Sequence, residues 1–155
     1  MNDDVWYFAY GSNLSIDQKQ DRTGAIRSGD DRPRIARLGN YRLAFNKRGR
    51  HGQVFANIVA CPGDQVIGIA YRCKPSTIDT MSQWEGGYER LSIQVVIEDE
   101  SSVEAVTYVA MAQNVDKESR PSEEYLEKIL TGSRQHKLPD DYIETIKNLA
   151  SANEE

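Results

Sequence analysis

Val5-Trp6-Tyr7-Phe8-Ala9-Tyr10-Gly11-Ser12-Asn13-Leu14 carries the reading on which the fold turns. Its first six residues are aromatic, β-branched or small, too few for a helix, and Gly11-Ser12-Asn13 ends them. Residues 5–10 are therefore expected as a buried strand running into a tight turn. A helix follows at once. Ser15 with Gln18 three places on has the form of a capping box, Leu14 stands ready as a staple, and the helix should reach about Arg22. Residues 23–32, rich in Gly, Asp and Arg, read as a surface loop.

Working outward, four more strand-like runs come at residues 34–38, 41–47, 54–61 and 65–72, the last two joined by Pro62-Gly63-Asp64 as a hairpin turn. Pro75 and Ser76 open a helix in which Ile78, Met81 and Trp84 share a face, and Gly86-Gly87 closes it. Strands at 88–97 and 103–111 flank the polar Glu98-Asp99-Glu100-Ser101-Ser102, which predicts a second hairpin. Residues 121–130 and 139–149 show helical spacing, Tyr125 with Ile129 and Leu126 with Leu130, then Tyr142, Ile146 and Leu149. The tail from 151 to 155 should fray. The expected core is mostly antiparallel β with helices around it, and 155 residues suit one domain spanning 1–155, with its C-terminal helices at about 121–150. A chain of this length buries roughly two-thirds of its unfolded surface and needs neither disulfide nor metal to hold together.

Composition removes several classes. At 39% hydrophobic and 28% charged, the chain is neither collagen-like, disordered nor a disulfide scaffold. No apolar run approaches the ~20 residues that span a bilayer. Met1-Asn2-Asp3-Asp4 puts acid where a secretory signal needs base, so a cytoplasmic location is expected, with no membrane partner. The net charge of −5 is uneven: residues 1–50 hold ten Lys/Arg against six Asp/Glu, and residues 51–155 nine against eighteen. The basic part, from Arg22 to Arg50, alternates with apolar residues as a half-buried strand does, and no nucleic-acid-binding signature accompanies it. It reads as a wetted strand face, with no nucleic-acid partner. Two Cys and two His show no metal-ligand spacing, so no metal site is expected. With a turn at residues 62–64, Cys61 and Cys73 would lie roughly 20 Å apart at ~3.3 Å per residue. That is too far for a disulfide, and both are expected reduced.

Phosphate-loop, dinucleotide and nucleophile-elbow motifs are missing, and Ser12 has no base paired with it in any such pattern. What the strand-loop-helix arrangement offers is a set of N–H groups at a helix N-terminus, suited to a carboxylate or a developing oxyanion. Equally, Ser12 and Asn13 could simply shape the turn. The other feature is Trp84-Glu85-Gly86-Gly87-Tyr88. Glu85 is predicted at a helix C-terminus, where the dipole opposes its ionisation, and is hemmed by Trp84 and Tyr88. Both effects raise a carboxyl pKa toward the range of a general acid/base. The plain alternative is an exposed glutamate before a glycine cap.

Tyr7-Phe8-Ala9-Tyr10-Gly11-Ser12-Asn13-Leu14 resembles the opening motif of the gamma-glutamylcyclotransferase family (AIG2-like). Later segments follow in that family's order: Ala36-Arg37-Leu38, residues 41–45, the turn at 62–64 leading to Val66-Ile67-Gly68, Glu85-Gly86, Thr107-Tyr108, and the helices around Tyr125 and Leu138-Pro139. The resemblance implies an α+β fold, a small mixed, mostly antiparallel β-barrel flanked by helices, with a cavity beside the loop. It implies Glu85 as the catalytic acid/base, and Tyr10, Gly11, Ser12, Asn13, Leu14 and Tyr108 as substrate-binding residues. The reaction it implies is attack of a glutamyl α-amine on its own γ-carbonyl, giving 5-oxoproline and a released amine, with no cofactor. The partner implied is thus a small gamma-glutamyl substrate, with a homodimer left open. The leaving group could be an amino acid, an amine, glutathione or an antibiotic precursor, and the form of the loop suggests an amino acid. An inactive ligand-binding protein of the same fold is the alternative. Only Gly86 and Gly87 separate Glu85 from Tyr88, which would reshape the pocket wall, and an arginine from the region Arg27 to Arg50 could meet an acidic substrate.

Overall fold

Val5–Ala9 forms strand β1, and Tyr7, Phe8 and Ala9 are all buried in sequence. Burial of successive residues means that both faces of the strand are covered, which a barrel wall under helices provides. The structure, a computed structural model, describes residues 3–98 and 101–152. After β1 come α1 (Ile16–Thr23), β2 (Arg34–Arg48), β3 (Val54–Cys73), α2 (Pro75–Ser82), β4 (Tyr88–Ile97), β5 (Ser102–Ala110), α3 (Glu123–Gln135) and α4 (Asp140–Ser151). The strands close into a barrel in the order β1-β3-β2-β4-β5. All pairs are antiparallel except the closing one, where β5 meets β1 in parallel with Tyr7 opposite Val106. The fold is thus the mixed, mostly antiparallel barrel with flanking helices.

Two pairs of expected strands are single strands. Residues 34–38 and 41–47 lie in β2, and residues 54–61 and 65–72 in β3. The chain reverses at 49–53, where the Gly49 N–H donates to the Gln53 carbonyl at 2.8 Å. Pro62-Gly63-Asp64 is instead a kink within the ribbon. Pairing jumps from Gly39 opposite Gln65 to Tyr41 opposite Ala60. Gly63 has φ +86 and Asn40 φ +66, and the Gly63 N–H donates to Asn40 Oδ1 at 3.1 Å. Proline and left-handed glycine suit a bulge as well as they suit a turn. Cys61 and Cys73 consequently stand at separate points on one strand, and both thiols are free.

Other boundaries shift for identifiable reasons. α2 stops at Ser82, so Trp84 leaves the apolar face and is 54% exposed. α3 starts after Ser122, whose Oγ accepts from the Tyr125 N–H at 3.2 Å, and continues past Leu130 through Gly132. A Cβ on Gly132 would fall 2.2 Å from the Leu14 carbonyl carbon. Only glycine lets α3 lie directly on the loop after β1. Thr23 ends α1, and residues 24–33 form a loop with one 3-10 turn at Gly29–Asp31, held where Arg27 meets Asp4 at 2.6 Å and Asp31 at 3.4 Å. The β4–β5 hairpin pairs through Val96 and Ser102, while its Asp99 and Glu100 lie outside the described residues. Ser151, expected to fray, ends α4, and residues 153–155 of that tail also lie outside. No described helix is long and apolar enough to cross a membrane.

Candidate active site

The loop after β1 is a 3-10 turn, Ser12–Leu14, closed by N–H bonds from Leu14 to the Gly11 carbonyl and from Ser15 to the Ser12 carbonyl, both 3.0 Å. Ser15 caps α1, its Oγ accepting from the Gln18 N–H at 3.3 Å. The reciprocal half of the capping box is replaced. The Gln18 side-chain amide turns into the loop and donates to Ser12 Oγ at 2.5 Å and Asn13 Oδ1 at 3.1 Å. The Ile16 N–H donates to Gln135 at 3.1 Å. The N–H groups of Leu14, Ser15, Ile16 and Gln18 therefore have protein acceptors. Leu14, expected to bind substrate, is completely buried and anchors the loop under α3 instead of facing a ligand.

Tyr10, Gly11, Ser12 and Asn13 line a cavity of about 310 Å³ together with Glu85 and Tyr108, within the size range of small-molecule sites. Asn13 is its hub. Its Nδ2 donates to Tyr7 OH at 2.8 Å and to Glu85 Oε1 at 3.3 Å, and its Oδ1 accepts from Arg22 at 3.0 Å. Arg22 also stands 4.0 Å from Glu85, whose side chain is only 12% exposed. Burial raises the Glu85 pKa, against the opposing pull of Arg22, Asn13 and Lys47. The direction matches the expectation, and of its two expected causes burial is the one found. α2 ends three residues earlier, so withdrawal from water, rather than a helix terminus, disfavours the charge.

Aromatic residues make much of the wall. The Tyr10 hydroxyl donates to the Tyr108 carbonyl at 2.5 Å and Tyr88 to the Ala56 carbonyl at 2.6 Å. Tyr125 accepts from the Ala56 N–H at 3.0 Å. Burial pushes all of these phenols up, Tyr125 to about 12, so they stay neutral hydrogen-bonding groups at ordinary pH. The Tyr108 hydroxyl is spent on α2, donating to the Ile78 carbonyl at 3.0 Å. Its ring faces the cavity while its hydroxyl holds the helix that leads to Glu85.

Sequence reasoning missed Gln18, Arg22, Lys47, Phe55, Tyr125 and Lys128, among others, as wall residues. Gln18 and Arg22 are four apart on α1, a shared face that could have been read as turned toward Asn13. Lys47 had no such signal. It belongs to the basic stretch read as a wetted strand face, and Arg37 on the same strand is indeed exposed. Lys47, however, is 8% exposed. The register shift between Phe45 and Lys47 places it opposite Phe55. Among the described residues, no group of three or more His, Cys, Asp and Glu gathers as metal ligands.

Comparison with known proteins places this geometry in context. A model of the AIG2-like family matches residues 65–146. The chain is 31% identical to mouse gamma-glutamylcyclotransferase over 150 residues, covering 91% of this chain and 76% of the mouse protein. The human gamma-glutamylcyclotransferase is 27% identical over the same length and the same shares. A solved gamma-glutamyl cyclotransferase superimposes with TM-score 0.82 at 24% identity, over 94% of this chain and 87% of that one. YkqA from Bacillus subtilis gives TM-score 0.82 at 20% identity, over 98% of this chain and 56% of its own. At those identities the two structures speak for the fold alone.

Proposed function

The chain belongs to the AIG2-like, gamma-glutamylcyclotransferase family, and from that premise we propose that it cyclises gamma-glutamyl compounds to 5-oxoproline. The observation that carries this reading is Glu85, a carboxyl withdrawn from water in the cavity wall and hydrogen-bonded by Asn13 of the loop after β1. In the reaction, the α-amino nitrogen of the glutamyl group attacks its own γ-carbonyl carbon. A carbon–nitrogen bond forms within the five-membered ring, and the bond from that carbon to the attached amine breaks. Glu85 takes a proton from the attacking nitrogen and returns one to the departing nitrogen, so the carboxyl ends as it began.

The cavity supplies the rest. Curling the glutamyl chain brings amine and carbonyl to attack distance, and intramolecular attack so oriented reaches effective molarities of ~10⁵ M or more. Gly11, Ser12 and Asn13, with Arg22 behind Asn13, suit the glutamyl α-carboxylate. The neutral Tyr7 and Tyr125 hydroxyls, each accepting from an N–H group, can donate to a carbonyl that is gaining negative charge. The buried aromatic surround excludes bulk water, which would otherwise compete for the γ-carbonyl.

Purified protein incubated with a panel of gamma-glutamyl amino acids and amines should release 5-oxoproline from some members. Tight binding across the panel with no turnover of any would support a ligand-binding protein of this fold instead.

A further inference from the structure

Lys47 is a buried, charged wall residue that this reaction leaves unused. Its side chain is 8% exposed, and its ammonium lies 5.1 Å from the Tyr88 ring centroid and 5.6 Å from that of Phe55. Among the described residues no carboxylate comes within ion-pair distance of it. Its position is built rather than incidental. The register shift after Phe45 aims it at the cavity, and Gly87, at φ +83, leaves it room, since a Cβ there would fall 2.8 Å from the ammonium nitrogen. Glu85 acts on its charge from beyond ion-pair distance, and a buried ammonium with no anion in contact is costly unless one arrives with the ligand.

Charge counting identifies that anion. Glu85 and Arg22 face each other beside the loop, and of the two lysines on the wall Lys47 is buried while Lys128 is exposed. A gamma-glutamyl amino acid brings one amine and two carboxylates. The amine belongs with Glu85 and the glutamyl carboxylate with the Arg22 side. The remaining carboxylate, that of the leaving group, has Lys47. We propose that Lys47 selects substrates whose leaving group is an amino acid by holding that group's carboxylate. This rests on the cyclotransferase reading of the same cavity. A gamma-glutamyl amine would leave the ammonium unpaired as the site dries.

The test compares gamma-glutamyl-alanine with gamma-glutamyl-ethylamide, which differ only by that carboxylate, on wild type, Lys47→Met, Lys47→Gln and Lys47→Arg. Folding of each is checked by thermal unfolding. Wild type should favour the alanine compound in kcat/KM by ~10–100-fold, the worth of a charge-assisted contact. Lys47→Met and Lys47→Gln should bring the ratio close to one, and Lys47→Arg should keep part of it. A preference that survives Lys47→Met or Lys47→Gln, or an equal loss on both substrates, overturns the assignment. If wild type releases 5-oxoproline from neither compound, the reaction reading fails. Calorimetric Kd values for the same two compounds then decide Lys47 separately: a binding preference lost in Lys47→Met supports it, and equal affinities overturn it.

Discussion

Glu85 and its neighbours turn a general property, a carboxyl out of water, into specific expectations. Glu85→Gln keeps an acceptor for the Asn13 amide, 3.3 Å away in the wild type, but cannot titrate, so turnover should fall ~10²–10⁴-fold with substrate affinity retained. Near wild-type turnover would remove Glu85 from the mechanism. Stability gives a second readout. Because burial raises the Glu85 pKa, ionising this group costs the folded state more than the unfolded one. That cost is absent below the unfolded-state pKa, grows as pH rises through it, and is complete above the folded-state pKa. The melting-temperature gain of Glu85→Gln over wild type should therefore widen from acid toward neutral pH, and a gain that shrinks instead contradicts burial as the cause. Arg22 pulls the same pKa down, so Arg22→Gln should move the acidic limb of the pH–rate profile to higher pH. At this scale the sequence was informative where residues are contiguous. Tyr10 to Asn13 and the Trp84-Glu85-Gly86-Gly87-Tyr88 segment drew notice as local patterns. Lys47 and Tyr125 did not, because their roles depend on a strand irregularity and on the docking of a helix more than a hundred residues from the loop it covers.

Between elements, contact distance decides what is tolerated. α3 crosses the loop after β1 at Gly132, where an added Cβ would meet Leu14 and Ser15 backbone at 2.2–2.4 Å. Gly132→Ala should therefore lower stability by about 1–3 kcal/mol, as overpacking does, measured from the denaturant midpoint. It should also reduce turnover, since α3 carries Tyr125 into the cavity. Unchanged stability would mean that α3 slides freely on the loop. The same contact explains why the helix continues through a glycine that usually marks an end. Pro62-Gly63-Asp64 misled in the same way. The residues report the backbone angles they permit, and a kink within a long ribbon uses the same angles as a chain reversal. Strand periodicity and helix caps were legible because each depends on residues a few places apart. Which of two adjoining runs continues the other depends on pairing across the sheet.

Over the whole molecule, charge and closure set the behaviour. The net charge is −5, and the arginines of β2 are partly engaged, as Arg42 is with Glu118 at 2.7 Å. No retardation of DNA or RNA should therefore be seen at physiological salt, where a basic surface would bind through counterion release. A clear shift in a gel assay would reverse that. The barrel is closed by β1 against β5, and the buried Thr107 Oγ1 donates across the seam to the Phe8 carbonyl at 2.8 Å. Thr107→Val keeps the shape and loses that bond, at a cost of about 1–3 kcal/mol by chemical denaturation. The seam joins residues 99 apart in sequence, so its entropy of loop closure must be met before its contacts can form. Long-range pairing of this kind comes slowly, after local hairpins such as β4–β5. The cavity takes walls from both seam strands, Tyr7 and Tyr10 at one end of the chain and Tyr108 far along it. A chain still emerging from the ribosome thus has the loop and Glu85 in hand well before it has a pocket. Binding competence should come all at once, when the last strand and then α3 have arrived.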